Sequence, residues 1–281
     1  MNSLVQLKSI FARQDSQKYL DSVLGEKRQS FVTTVTSLVS NNAQLQDCAP
    51  STIIYAALKS ASFGFPIDNN LGFAYVLPYK NKKKGADGKI YEVLESQFQM
   101  GYKGIVQLAV RSGQFATINV SDVKAGELIS RDRLTGNIQF KWIENEEDRA
   151  KAEVIGYVGY FRLKGGYEKI FYMSKEEIVK HSERYSKAVQ KGIMSPWKDN
   201  FDAMAKKTVL KLMLNKGDAP LSIELQEAIK YDQSVIYDEK GTHSYVDNTS
   251  SKDPAPVEVQ DAEVVNEQKP DNSQGGANAP Y

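Results

Sequence analysis

Between Ala61 and Gln114 the chain reads ASFGFPIDNNLGFAYVLPYKNKKKGADGKIYEVLESQFQMGYKGIVQLAVRSGQ, and its punctuation leaves few ways to fold. A helix starting near Ser51 carries Ile54, Leu58 and Ala61 at helical spacing and must stop at Gly64-Phe65-Pro66, because proline cannot continue it. Asp68-Asn69-Asn70 is turn chemistry. Phe73–Tyr79 and Lys89–Leu94 then read as two strands, and Asp87-Gly88 favours a tight hairpin between them with a cationic tip formed by Lys80, Lys82, Lys83 and Lys84. Ile105, Leu108 and Ala109 restore helical spacing over Gly101–Arg111, which ends at Gly113. The unit is helix, antiparallel hairpin, helix.

The flanks extend this pattern. Up to about Asn42 the apolar residues Leu20, Val23, Leu24, Phe31, Val35, Leu38 and Val39 recur three and four apart, so the N-terminal region is expected to be helical. Phe115–Val123, Ile138–Ile143, Val154–Leu163 and Tyr167–Tyr172 read as strands, the last two joined at Gly165-Gly166. Ser174 and Glu177 form a capping box for a helix towards Lys187. Ser195-Pro196 opens a helix to about Leu214, and Leu221–Lys230 closes the fold. The expected class is α+β: an antiparallel β-meander and hairpin core flanked by N-terminal and C-terminal helices. Residues 1–45 are read as a helical region suited to subunit packing, 46–232 as the core, and 233–281 as a flexible acidic tail.

Charge separates core from tail. Residues 1–230 hold 33 Lys and Arg against 25 Asp and Glu, whereas residues 231–281 hold 3 against 10. The tail places Pro254, Pro256, Pro270 and Pro280 among polar residues and has too little apolar surface to offset the entropy of ordering. The whole segment 233–281 is a candidate partner-binding segment, with its acidic-apolar patch from Val257 to Val265 the part suited to ordering on a partner. Cys48 is the only cysteine, so no intrachain disulfide forms and a reducing cytoplasm is expected. No apolar run approaches the roughly 20 residues of a membrane span, and no secretory signal is legible in MNSLVQLKSIF.

Catalytic constellations are hard to assemble. The two histidines, His181 and His243, have no cysteine or carboxylate at metal-ligand spacing, and neither GxxxxGK[ST] nor GxSxG occurs. Glu92 and Glu95, and the run Glu144, Glu146, Glu147 and Asp148, read as solvated charges. A two-metal nuclease would need convergent carboxylates, and a scaffold with a basic face remains a further alternative. No cofactor or metal is expected.

What the sequence does offer is a surface for a polyanion with stackable bases. Gln97 and Gln99 alternate with Phe98; Tyr102 and Lys103 follow, and Arg111 lies eight residues beyond Lys103 on one helix. On the later helix Lys207 and Lys211 share a face with Lys206 beside it, free of intervening carboxylates. Trp197 is either a core anchor or a base-stacking ring, and Arg184 is a further phosphate ligand candidate.

The order "AS.G.P.D.NLGFAY..PY", a charged loop and "QFQ.GYKG...LA.RSGQ" resembles the RecT family of phage single-strand annealing proteins. Ser195-Pro196-Trp197 and Met204-Ala205-Lys206-Lys207-Thr208-Val209 extend the resemblance, which spans about Ser51 to Asn215 and leaves the last fifty residues unmatched. It implies ATP-independent annealing in the cytoplasm of a bacterial host, by a homo-oligomeric ring or filament on single-stranded DNA and the nascent duplex. It also implies a phage exonuclease and a host single-stranded-DNA-binding protein as partners, and no enzymatic activity.

Overall fold

The structure is a computed structural model that describes residues 3–245 apart from 69, 85, 86, 194, 217 and 218. Helices α1 (Ser3–Ala12), α2 (Gln14–Leu24), α3 (Arg28–Ser40) and α4 (Pro50–Ser62) come first. Strands β1 (Ala74–Lys84) and β2 (Ile90–Met100) lead into α5 (Tyr102–Arg111). Then follow β3 (Phe115–Lys124), β4 (Leu128–Arg131), β5 (Ile138–Phe140), α6 (Glu146–Lys151), β6 (Val154–Leu163) and β7 (Glu168–Ser174). Helices α7 (Lys175–Tyr185), α8 (Lys187–Gln190), α9 (Pro196–Asp199), α10 (Phe201–Asn215) and α11 (Ile223–Tyr231) precede β8 (Ser234–Ile236) and β9 (His243–Tyr245). The α+β class holds.

The strands form three sheets rather than one meander, ordered β1-β2-β8-β9, β3-β6-β7 and β4-β5. In the first sheet the register runs from Ala74 opposite Met100 to Lys84 opposite Ile90. One face of this hairpin, with Ala74, Val76, Phe98 and Met100, is buried. On that side the Ser96 N–H donates to Thr52 Oγ1 at 2.9 Å, tying the sheet to α4. Pairing continues straight through Lys80–Lys84, so these lysines are strand residues and not a loose loop. Lys83 is engaged by the buried Glu95 and lies 4.3 Å from the Tyr237 ring.

The second sheet carries α10. A Cβ on Gly159 of β6 would stand 2.9 Å from Met213 Sδ and 3.2 Å from Val209 Cγ1, so the missing side chain lets the helix lie close to the strand. One apolar cluster runs from the N-terminal helices through Phe98, Ile105, Leu108 and Leu210 to Leu225. Each such fully buried side chain contributes about 1.5–3 kcal/mol by leaving water.

Two boundaries differ from those read in the sequence. The single helix expected over Pro196–Leu214 is broken at Asn200 (φ −146°, ψ 62°), whose side chain accepts the Ala203 N–H at 3.4 Å and starts α10 afresh. The core also passes residue 232: β8 pairs with β2, Ser234 opposite Phe98, and with β9. That part of the expected flexible tail is folded, while residues 246–281 lie outside the described chain. The Ser174 capping box is present, with Glu177 N–H donating to Ser174 Oγ at 3.2 Å and Ser174 N–H to Glu177 Oε2 at 2.8 Å.

Candidate nucleic-acid interface

Helix α10 separates two clefts that meet at Met204 and Lys207. The spacing 204, 208, 211, 215 puts Met204, Thr208, Lys211 and Asn215 on one helical face. That face lines a first cleft of about 350 Å³. Opposite stand His181 and Tyr185 of α7, with Trp197, Gln233 and Tyr245 at its margins. On the other side of α10, Ala203, Met204 and Lys206 face Tyr75, Gln99, Tyr102 and Lys103 across a second cleft of about 530 Å³. The combined surface interleaves rings and ammonium groups over both walls.

The second cleft exists because two backbones cross closely. A Cβ on Gly101 would sit 1.9 Å from Gly72 O and 3.1 Å from Tyr75 Cε2. A Cβ on Gly104 would sit 2.1 Å from Phe73 O. Glycine alone permits that approach, which brings Tyr75 of β1 against the start of α5. Gly72 itself has φ +74°, and a Cβ there would meet Tyr75 Oη at 3.3 Å and Lys103 Cδ at 3.6 Å. Tyr75 and Lys103 are therefore neighbours, although 28 positions separate them in the sequence.

The lysines of α10 are not the unpaired ridge expected from their local sequence. Asp232, 1% exposed, accepts from Lys207 Nζ at 3.1 Å, from Lys211 Nζ at 2.7 Å and from the Met100 N–H at 2.9 Å. Burial pushes the Asp232 carboxyl up, but the two ammoniums outweigh it and hold the group below the usual carboxylate range. The triad keeps one net positive charge. Lys207 is buried, whereas the Lys211 side chain is 26% exposed and opens towards the first cleft. Lys206 is the freer cation: its Nζ lies 4.0 Å from Asp122, a carboxylate it shares with Arg149 and Lys124.

The remaining expected residues separate. Gln99, Tyr102, Lys103, Lys206 and Lys207 line the second cleft, and Trp197, Lys207 and Lys211 the first. Trp197 is half-buried and meets Phe201 edge-on at 5.8 Å. Arg184 sits at the end of α7 with its guanidinium 5.3 Å from the Tyr185 ring. Burial lowers the His181 pKa below the ordinary imidazole value, and the charges of Lys211 and then Arg184 add to it. Arg184 lines neither cleft, and two further residues lie elsewhere. Gln97 is 1% exposed with Nε2 lacking a hydrogen-bond partner. Arg111 is used by the fold, donating to Phe63 O at 2.7 Å and lying 4.9 Å from the Phe65 ring.

Tyr75, Tyr185, Gln233, Tyr245 and Asp232 join the site without having been singled out in the sequence. Gln233 has φ +66°, the one positive φ among the described non-glycine residues, and such strain collects at functional sites. Of the carboxylates weighed for metal chemistry, Glu95 is held by Lys83, Asn81 and Tyr237. Glu146, Glu147 and Asp148 form the first turn of α6. Among the described residues no group of three His, Cys, Asp or Glu is arranged to hold a metal ion, and no helix is long and apolar enough to cross a membrane. Burial pushes the Cys48 thiol up to about 11.

Comparison with known proteins adds a family. The model of the RecT family matches residues 29–249. The chain is 33% identical over 275 residues to the uncharacterized protein YqaK of Bacillus subtilis (strain 168), a match covering 98% of this chain and 86% of that one. It is 27% identical over 205 residues to protein RecT of Escherichia coli (strain K12), covering 73% and 71%.

Proposed function

The chain belongs to the RecT family, whose members serve recombination and strand annealing, and on that premise we propose that the two clefts along α10 hold single-stranded DNA for ATP-independent pairing with a complementary strand. The observation that carries the reading is their continuity through Met204 and Lys207, with Lys103 and Lys206 on one side and Lys211 on the other. Cations spaced along a groove neutralise successive phosphates and reduce repulsion between two strands, while rings stack on bases of any sequence. Pairing needs no covalent step, so the work required of the protein is electrostatic and geometric.

In this reading Trp197, Tyr185, Tyr102 and Tyr75 set the base spacing, and Arg184, Lys211, Lys206 and Lys103 follow the backbone. Lys207 acts from below as part of the Asp232 triad, and Gln97 and Arg111 shape the scaffold. Homo-oligomers on DNA, as rings or filaments, extend one groove into the next. Residues 246–281 are the candidate docking segment for an exonuclease that produces single strands and for a single-stranded-DNA-binding protein of the host.

The test is annealing of two complementary labelled oligonucleotides added in sequence, in EDTA and without ATP. The expected result is pairing faster than the protein-free control, with protein retained on the product in a native gel. Folded protein that gives no acceleration at low salt would refute the reading. A repeat with magnesium that shortened the oligonucleotides would favour a nuclease instead.

A further inference from the structure

The two clefts differ in the make-up of their walls. The first sets His181, Lys211, Asp232 and Gln233, with the net positive triad, beside the rings of Tyr185, Trp197 and Tyr245. The second is walled by Tyr75, Leu77, Met100, Tyr102 and Met204. Its polar members are confined to Asn200, Gln99 and the lysines, with Lys103 on the wall formed by α5 and Lys206 on that formed by α10.

We propose that the second cleft is a receptacle for one unstacked nucleobase of the bound strand, its flanking phosphates held by Lys103 and Lys206 on the two walls. This rests on the single-strand reading given above and goes beyond it. A backbone-tracking groove alone would have no use for an apolar recess, whereas a base lifted out of its stack needs an apolar or aromatic surface on its faces. Tyr75 and Tyr102 supply rings, and Met204 supplies a polarizable thioether that favours contact with aromatic systems. Gln99 provides both a donor and an acceptor for a base edge. The charge pattern also selects the occupant: an apolar recess between two ammonium groups suits an anionic chain with an aromatic branch. The recess is fixed by the Gly72–Gly101 crossing, so it does not have to be opened by the ligand. Extruding a base at intervals would leave the intervening bases stacked in short runs, ready to meet a complement.

The experiment compares binding of oligothymidylate with binding of an abasic deoxyribose-phosphate oligomer of equal length, for the full chain and for Ala203→Trp. Ala203 is exposed and lines the second cleft, so a larger side chain there fills the recess without removing a charge or disturbing the core. The unaltered chain should prefer oligothymidylate by about tenfold for each base received. Ala203→Trp should lower affinity for oligothymidylate by more than it lowers affinity for the abasic oligomer, so that the ratio of the two falls by about tenfold. Tyr75→Leu, which removes one ring from the opposite wall, should lower the same ratio and guards against a single misfolded variant.

An unchanged preference in both folded variants would overturn the proposal while leaving single-strand binding intact. Ala203→Trp that changed oligomer mass but not the preference would mean that the recess receives a side chain from another copy, and would also overturn it. Failure of the unaltered chain to bind either oligomer would instead remove the single-strand reading, and the proposal with it.

Discussion

Replacing Asp232 by asparagine isolates the electrostatic hinge of the proposed interface. The carboxylate is 1% exposed and is shared by Lys207, Lys211 and the Met100 N–H. Asparagine keeps an acceptor for the amide but removes the charge that compensates Lys207, whose side chain is only 10% exposed. Breaking a buried pair from one side costs about 3–5 kcal/mol. For a domain of this size that is a fall in Tm on the order of 10 °C. Lys207→Met in the same chain removes the stranded ammonium, so the double variant should recover much of the loss and give strong non-additivity. The assay is urea unfolding followed by circular dichroism for the four proteins of the cycle. Additivity within about 0.5 kcal/mol, or a single variant as stable as the parent, would refute the buried-triad reasoning.

The same carboxyl predicts a pH dependence with a defined sign. Its folded pKa lies below the unfolded value, so the stabilisation is present above about pH 4 and disappears as pH falls through the folded pKa. Asp232→Asn should therefore flatten the acid limb of the stability curve, measured as the urea midpoint against pH. His181 has the same direction of shift but the opposite consequence for charge: held below the ordinary imidazole range by burial, Lys211 and Arg184, it costs stability as pH falls below about 6.5. His181→Gln should remove that decrement. Replacing Lys206 by alanine should weaken binding of single strands of any sequence and reduce the slope of log affinity against log salt by about one, whereas Arg111→Ala should change stability and leave that slope unaltered. Gly101→Ala should be poorly tolerated, because its Cβ would overlap Gly72 O at 1.9 Å; a thermal melt within 2 °C of the parent, small against the roughly 2–4 °C expected per kcal/mol, would count against the fixed recess.

What the sequence revealed and what it concealed divide along sequence distance. Helix starts and tight turns were legible because their chemistry is local: the Ser174–Glu177 box and Gly165-Gly166 each need only near neighbours. The Asn200 break was also written locally, in a side chain able to cap a new helix, but the proline start and apolar spacing on either side pointed to one continuous element. The state of Lys207 and Lys211 was not local at all. Their partner lies 25 and 21 residues away, beyond a helix and in a segment whose composition reads as the approach to an acidic tail.

The same distance hid half of the interface. Gln99 was visible through alternation with Phe98, but its cross-strand neighbour Tyr75 follows only once the hairpin register is known, and the cationic run concealed how far that register extends. Gln97 shows the converse limit, since alternation gives the face of a strand and not its depth: two residues from Gln99, it is 1% exposed. Basic residues in this chain consequently divide by the carboxylates that reach them through space. Lys207 spends its charge on Asp232, Lys83 on Glu95 and Arg149 on Glu127 and Asp122, while Lys103, Lys206 and Lys211 retain enough exposure to meet a phosphate. It is this remainder, and not the overall excess of lysine and arginine, that the two clefts present to a strand.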